Sequence, residues 1–254
     1  MVAPNGARRT KSDHPLLPIT IGEVVEAASK CFEEGAEALH AHVRDEDGKH
    51  ILDAGLYREL IAEMAQTVPG MEVQITTEAV GIYSPKQQRD LVRDVMPKAV
   101  SVSLAEMLSD GDENAAKGFY HSADEAEIAV QHILYSADDV ERFHHCITNG
   151  VIPNIRHQLL FVLGRYAKDQ QSSPADLDPF LNAMSSVSGA HDWAVCAFGK
   201  EETRCLLAAA RLGGKCRIGF ENSLWNAEGA LAKDNAERVR ELASMITQDG
   251  LDAG

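Results

Sequence analysis

The chain has 254 residues, enough for a large hydrophobic core and a length that α/β barrels use for one domain. Its 44% hydrophobic and 25% charged residues are ordinary for a globular protein, and a net charge of −15 argues against a nucleic-acid binder, which presents a basic face. No apolar run reaches the roughly 18 residues of a membrane-spanning helix, and "MVAPNGARRTKSD" lacks the apolar core of a signal peptide. The five cysteines are odd in number and form no CxxC, and three lie in apolar runs; this is the pattern of reduced thiols in a cytoplasmic protein.

The predicted elements alternate from the start. "MVAP" reads as a truncated strand, and residues 20–34 as a helix with Thr20 as N-cap, Glu23 at the capping-box position and Gly35 as the stop. "EALHAHV" is the next strand, and residues 56–68 a helix ended by Pro69 and Gly70. "EVQITT" is a strand, residues 84–95 a helix opened by Ser84 and Pro85, and "AVSVSL" a strand. Residues 109–123, with "DGDEN", are polar and read as a loop; the stretch lacks the spacing of a calcium loop. "IAVQHILY" is a strand, followed by a helix capped at Ser136 and closed by Gly150. Then come the strand "HQLLFVLG", a helix over 173–186, the strand "WAVCAFG" and a helix over 200–214. "CRIGF" is the last strand and residues 234–246 the last helix.

Eight strand candidates alternating with helices predict parallel β-structure with right-handed crossovers, and at this length a (β/α)₈ TIM barrel over residues 1–254 as a single domain. A doubly wound open sheet is the alternative, although no GxGxxG follows the first strand. In such a barrel the active site lies where strands run out into βα loops. The strand ends offer Asn5, Arg8, Arg9 and Lys11; His40, His42 and Arg44; Thr76, Thr77 and Glu78; Ser101, Ser103 and Glu106; His132; and Arg217, Glu221 and Asn222.

His40 and His42 are two apart in a strand, so both side chains point the same way. Two neutral imidazoles on one face, with Glu221 from the last strand, make a His₂Glu set with an open position, as catalytic zinc sites use. The bland reading is a pair of hydrogen-bonded strand residues. His132 reads either as a polar residue lining the barrel or as a substrate contact; His144 and His145 read as helix residues capping or facing solvent. Arg8, Arg9 and Lys11 are a solvated loop or, at a barrel mouth, a hold for a carboxylate or phosphate.

At this point the sequence is similar to a known family. "PNGARRTKSDHP", "GAEALHAHVRDEDGKHILD", "VQITTEAVG", "LLFVLGRY", "WAVCAFGK" and "GGKCRIGFENSLW" stand in the order seen in the β-keto acid cleavage enzymes. The resemblance covers nearly the whole chain, and the pairing of "HAHVRD" with "RIGFEN" is its specific part. It implies a (β/α)₈ barrel that binds a divalent metal, usually zinc, and assembles as a homo-oligomer, a tetramer or a dimer. It implies condensation of a small-molecule β-keto acid with acetyl-CoA, giving acetoacetate and a new CoA thioester. By the resemblance His40, His42 and Glu221 match the metal ligands and Arg217 the active-site arginine. Thr76 and Ser101 lie near the family's hydroxyl-bearing substrate contacts, with Asn5 and Arg8 beside them on the first loop.

The chain departs from the family in three places. Asn222 stands where many relatives have Asp acting as a base, and Asn cannot take a proton at neutral pH. "PNIRHQLLF" carries Asn154, Arg156 and Gln158 where acidic residues are common, and Arg8 stands where Glu is common. Proton transfer is therefore assigned first to Glu78, then to Glu106, and the more positive site predicts a neutral or anionic β-keto acid. Two other functions fit the residues: a metal-dependent barrel hydrolase, which would need further histidines such as His132 and His157, and a metal-binding homologue without chemistry, which Asn222 keeps open.

Overall fold

A computed structural model of the protein describes residues 1–187 and 191–251. Among the described residues seven strands form one sheet in chain order. They are β1 (Ala38–Ala41), β2 (Glu72–Thr76), β3 (Ala99–Ser103), β4 (Ala129–Leu134), β5 (Gln158–Leu163), β6 (Asp192–Ala197) and β7 (Lys215–Cys216). Every neighbouring pair is parallel. Parallel neighbours need crossovers, and these run through α2 (Ala54–Thr67), α3 (Pro85–Val95), α4 (Leu104–Met107), α5 (Glu113–Glu125), α6 (Ala137–Thr148), α7 (Asp178–Met184) and α8 (Glu202–Arg211). Helix α1 (Ile21–Glu33) precedes β1, and α9 (Asn235–Gln248) follows β7. The strand order never reverses, which excludes the doubly wound alternative.

The sheet curls until its two edges share a neighbour. Val2 bridges Leu39 and Ile218, parallel to both. Its N–H donates to the Ala38 carbonyl at 2.8 Å, its carbonyl accepts from His40 N–H at 2.8 Å, and Ala3 N–H donates to Ile218 at 2.8 Å. The expected first strand is thus a single bridging residue. The expected last strand is two residues long, because the chain turns at Gly219. Gly219 has φ +144°, and a Cβ there would lie 2.3 Å from the Ala3 carbonyl oxygen, so the close approach of the N-terminal segment requires glycine.

Alternation along the strands sorts side chains into two cores. On β5, Leu160 and Val162 join Ile133, Ala194, Cys196 and Phe198 on the concave face. Leu159, Phe161 and Leu163 join the larger core between sheet and helices. Burial on both faces explains why "LLFVL" is a continuous apolar run.

The helix starts follow capping rules. Thr20 and Glu23 form the expected capping box of α1, and Ser84 with Gln87 forms another on α3. The stretch expected as a loop at 109–123 holds α5, capped by Asp112 and burying Ala116, Tyr120 and Ala123. Its apolar face is only a few small or aromatic residues, so composition hid it. The helix expected over 173–186 divides into a 3₁₀ turn at Pro174–Leu177 and α7. No described helix is long and apolar enough to cross a membrane.

Candidate active site and metal centre

The end of β1 and the segments that follow β1 and β7 bring together three side chains that could hold a metal ion. β1 ends at Ala41, so His40 lies in the strand and His42 just beyond it, still on the same face. Their Nε2 atoms are 3.2 Å apart. Glu221 Oε2 is 3.4 Å from His40 Nε2 and 3.6 Å from His42 Nε2. Among the described residues this is the one group of three or more such side chains whose ligand atoms lie within 4.8 Å of one another.

Local structure holds each member. Asn5 Nδ2 donates to the His42 carbonyl at 2.9 Å, and His42 N–H donates to Asn5 Oδ1 at 3.3 Å. Asn5, expected among substrate contacts, therefore clasps the backbone of His42. Arg9 donates to the carbonyls of Phe220 at 3.0 Å and Asn222 at 3.1 Å, bracketing Glu221. Gly6 has φ +62°, and a Cβ on it would sit 2.5 Å from Glu221 Cγ, so glycine here makes room for the carboxylate side chain. Arg44 donates to the carbonyls of Gly6, Arg9 and Gly48, fixing the first loop against the second.

The protonation states where the three residues meet suit metal ligands. Burial pushes His40 down to about 3, aided by Arg217, so the imidazole is neutral and can act as a ligand. Burial would raise the Glu221 carboxyl, but Arg217 and then the two histidines outweigh it and hold the group well below its ordinary value. Its Oε1 accepts from Arg217 Nη2 at 3.2 Å, whereas its Oε2 is buried without a hydrogen-bond partner among the described residues. A buried carboxylate oxygen facing two imidazole nitrogens, with nothing donating to it, fits a divalent cation with N and O ligands.

A cavity of about 120 Å³ opens beside this trio. Glu78, Arg217, Asn222, Thr76, Arg8 and Arg165 are among its lining, with Ile133, Tyr135, Val162 and Phe198 as apolar wall. Glu78 Oε2 lies 3.9 Å from His42 Nδ1, and Glu78 Oε1 lies 3.6 Å from Arg165. Arg217 keeps Nε and Nη1 without partners among the described residues. Asn222 Oδ1 is likewise unpartnered and buried. Ser101 lies below the cavity, its Oγ 3.5 Å from Thr76 Oγ1, so its hydroxyl backs Thr76.

Several expected residues lie elsewhere. Glu106, the second candidate base, accepts from Ala79 N–H at 3.0 Å and from Gln88 at 2.9 Å, bracing the loop after β2. His132 lies on the convex face of β4, against Tyr120 and Phe143, and not in the barrel lining or at the substrate. Its Nε2 is 3.2 Å from His157 Nδ1, so the middle-strand histidines that the hydrolase reading needs face the helices. His145 Nε2 lies 2.8 Å from the Asn149 side-chain amide at the end of α6, an exposed side-chain contact. Three side chains at the site were missed in the sequence: His50, whose Nδ1 is 3.4 Å from His42 Nδ1; Gln74, whose Oε1 is 2.8 Å from His40 Nδ1; and Arg165. Gln74 alone was accessible by periodicity, since it shares the face of Thr76 on β2.

Comparison with known proteins places the chain among relatives. The 3-keto-5-aminohexanoate cleavage enzyme of Fusobacterium nucleatum subsp. nucleatum is 25% identical over 252 residues, covering 96% of this chain and 89% of that protein. The 3-oxoadipate:acetyl-CoA acetyltransferase of Cupriavidus necator is 23% identical over 263 residues, covering 98% of this chain and 88% of that protein. Among solved structures, the apo structure of ObcA superimposes with a TM-score of 0.71 at 14% identity. It covers 93% of this chain, which spans only 63% of that longer one, and the likeness is one of fold. The sequence profile of the beta-keto acid cleavage enzymes matches residues 1–253, and the chain belongs to that family.

Proposed function

We propose that this enzyme exchanges acyl groups between a β-keto acid and acetyl-CoA, releasing acetoacetate and the CoA thioester of the remaining acyl group. The observation that carries this reading is the convergence of His40, His42 and the unpartnered Glu221 Oε2 beside Arg217 in a family of β-keto acid cleavage enzymes. We assign those three residues as ligands of one divalent metal, zinc first. When bound, such an ion polarises a ketone oxygen as a Lewis acid. The fold proposed for the chain is one (β/α)₈ barrel domain with the Val2 segment as its eighth strand, supported by the two parallel bridges Val2 makes. Five free cysteines support a cytoplasmic setting.

The residues divide the work. Glu78, at the cavity edge, takes a proton from the methylene carbon between ketone and carboxylate. That carbon attacks the acetyl carbonyl, and the CoA thiolate leaves. The thiolate then attacks the original ketone, the carbon–carbon bond breaks, and Glu78 returns its proton to the acetoacetate carbon. Arg217 has two nitrogens, Nε and Nη1, without partners among the described residues, and their N–H groups can meet oxyanion charge as it develops. Asn222, where many relatives carry Asp, has an amide that donates a hydrogen bond without exchanging a proton.

The cavity lining also bears on the substrate. It holds four arginines, Arg8, Arg9, Arg165 and Arg217, against two carboxylates, Glu78 and Glu221. A neutral or anionic β-keto acid suits that balance better than a cationic one. A panel of β-keto acids assayed with and without acetyl-CoA tests the reading. We expect stoichiometric acetoacetate and CoA thioester, strictly dependent on acetyl-CoA, with neutral or anionic acids preferred. Equal activity on a cationic acid would refute the substrate class, and turnover without CoA would refute the reaction.

A further inference from the structure

The metal assignment above leaves open what sets the two imidazoles in a ligating state. Each imidazole has two ring nitrogens, and only one can offer a lone pair to a cation. Resting on that assignment, we propose that His50 is a positioning residue that turns the lone pair of His42 Nε2 toward the metal point and ties this ligand to the loop bearing Glu78.

The chain reaches this contact through a tight hairpin. Asp45 Oδ1 accepts from the N–H groups of Asp47 and Lys49, and Gly48 N–H donates to the Asp45 carbonyl. Arg44 and His50 then pair as an isolated antiparallel bridge. The hairpin carries His50 back against His42, with ring centroids 5.0 Å apart.

Hydrogen accounting does the rest. His50 Nε2 lies 2.9 Å from the Glu78 carbonyl oxygen, an atom that only accepts, so Nε2 carries a hydrogen. The ring is buried and, among the described residues, has no carboxylate within ion-pair distance. It is therefore neutral, and its Nδ1 is an acceptor. The donor facing that Nδ1 is His42 Nδ1, 3.4 Å away. His42 thus holds its hydrogen on Nδ1, and its Nε2 lone pair faces the point it shares with His40 Nε2, 3.2 Å away, and Glu221 Oε2, 3.6 Å away. Gln74 does the same for His40, its Oε1 accepting from Nδ1–H at 2.8 Å while its Nε2 donates to Gln131 at 3.3 Å. His50 differs from Gln74 in one respect. Its second hydrogen bond ends on the backbone of Glu78, so a single ring spaces a ligand from the proposed base.

Two measurements on the full-length protein decide this. In metal-free wild type, imidazole proton–nitrogen correlation spectra should show His42 as the Nδ1–H tautomer. Zinc affinity by chelator competition should weaken by about 10–100-fold in His50→Phe, which keeps a ring but loses both hydrogen bonds. His50→Gln, able to accept from His42 and donate to Glu78, should recover most of that loss. An Nε2–H tautomer at His42, or wild-type zinc affinity in His50→Phe, would overturn the proposal. Were His50→Phe to misfold, the wild-type spectrum would still decide the matter. Absence of zinc binding in wild type would instead overturn the metal assignment, and the tautomer spectrum, recorded without metal, separates the two failures.

Discussion

Among the described residues, histidines gather at two places, each with three rings, and their surroundings differ. His40, His42 and His50 sit at the concave mouth with Glu221 and Glu78 within 4.0 Å of His42. His132, His157 and His191 pack between sheet and helices, with ring centroids 4.9 and 5.7 Å apart and Phe143 alongside. Strand parity separates them. His40 is on the concave face of β1, whereas His132 is one residue out of step with the concave Gln131 and Ile133 of β4. One cluster has a carboxylate and a cavity; the other has aromatic rings and a backbone carbonyl, that of Pro153, 2.7 Å from His157 Nε2. The carboxylate with its unmatched acceptor is what singles out the mouth cluster as the candidate metal site.

The largest effect that would sharpen this contrast is loss of the carboxylate. Glu221→Gln removes the only anion of the trio and leaves Arg217 without its partner. We expect bound metal and turnover to fall together, by at least about 10²-fold, a loss at the upper end of what outer-shell changes produce. Elemental analysis beside the acyl-exchange assay checks it. Retained metal in this variant would erase the distinction between the clusters.

Much of the mouth cluster was legible in the sequence because two periodicities were clean. The HxH spacing put both imidazoles on one face, and burial on both sides made the strands continuous apolar runs. Glu221 followed from its place after a short strand near the end of the chain. Other features were not legible, for physical reasons. Val2 makes one bridge to each edge, too short for any periodic signal. His50 reaches the site through a turn, and "DEDG" marks a turn without saying what its far arm touches. The parity of His132 depended on register with neighbouring strands, which one sequence does not carry. Arg165 and Glu78 meet only because the loops after β5 and β2 lean together.

Of intermediate size is the separation of base from ligand within the mouth. Glu78→Gln should lower turnover by roughly 10²–10⁴-fold, the usual worth of a positioned base, while metal content stays near one per chain. Unchanged turnover would remove Glu78 from the chemistry and return attention to Asn222.

The smallest effect belongs to the convex cluster. Burial first, then His157, holds His132 well below the ordinary imidazole value of 6.5. The unfolded chain therefore binds a proton that the folded chain refuses, so this group's contribution to stability is complete above that ordinary value and declines as pH falls below it. His132→Phe should flatten the loss of melting temperature between neutral and mildly acid pH, leaving zinc affinity and turnover near wild type. A steeper acid loss, or weakened zinc binding, would show that the two clusters are not independent.

We assign one divalent ion to His40, His42 and Glu221. Anomalous diffraction at the zinc edge from crystals grown with zinc tests it most directly. One strong peak is expected, bounded by His40 Nε2, His42 Nε2 and Glu221 Oε2. A zinc peak elsewhere with none at this point, or no peak at all at saturating zinc, would contradict it.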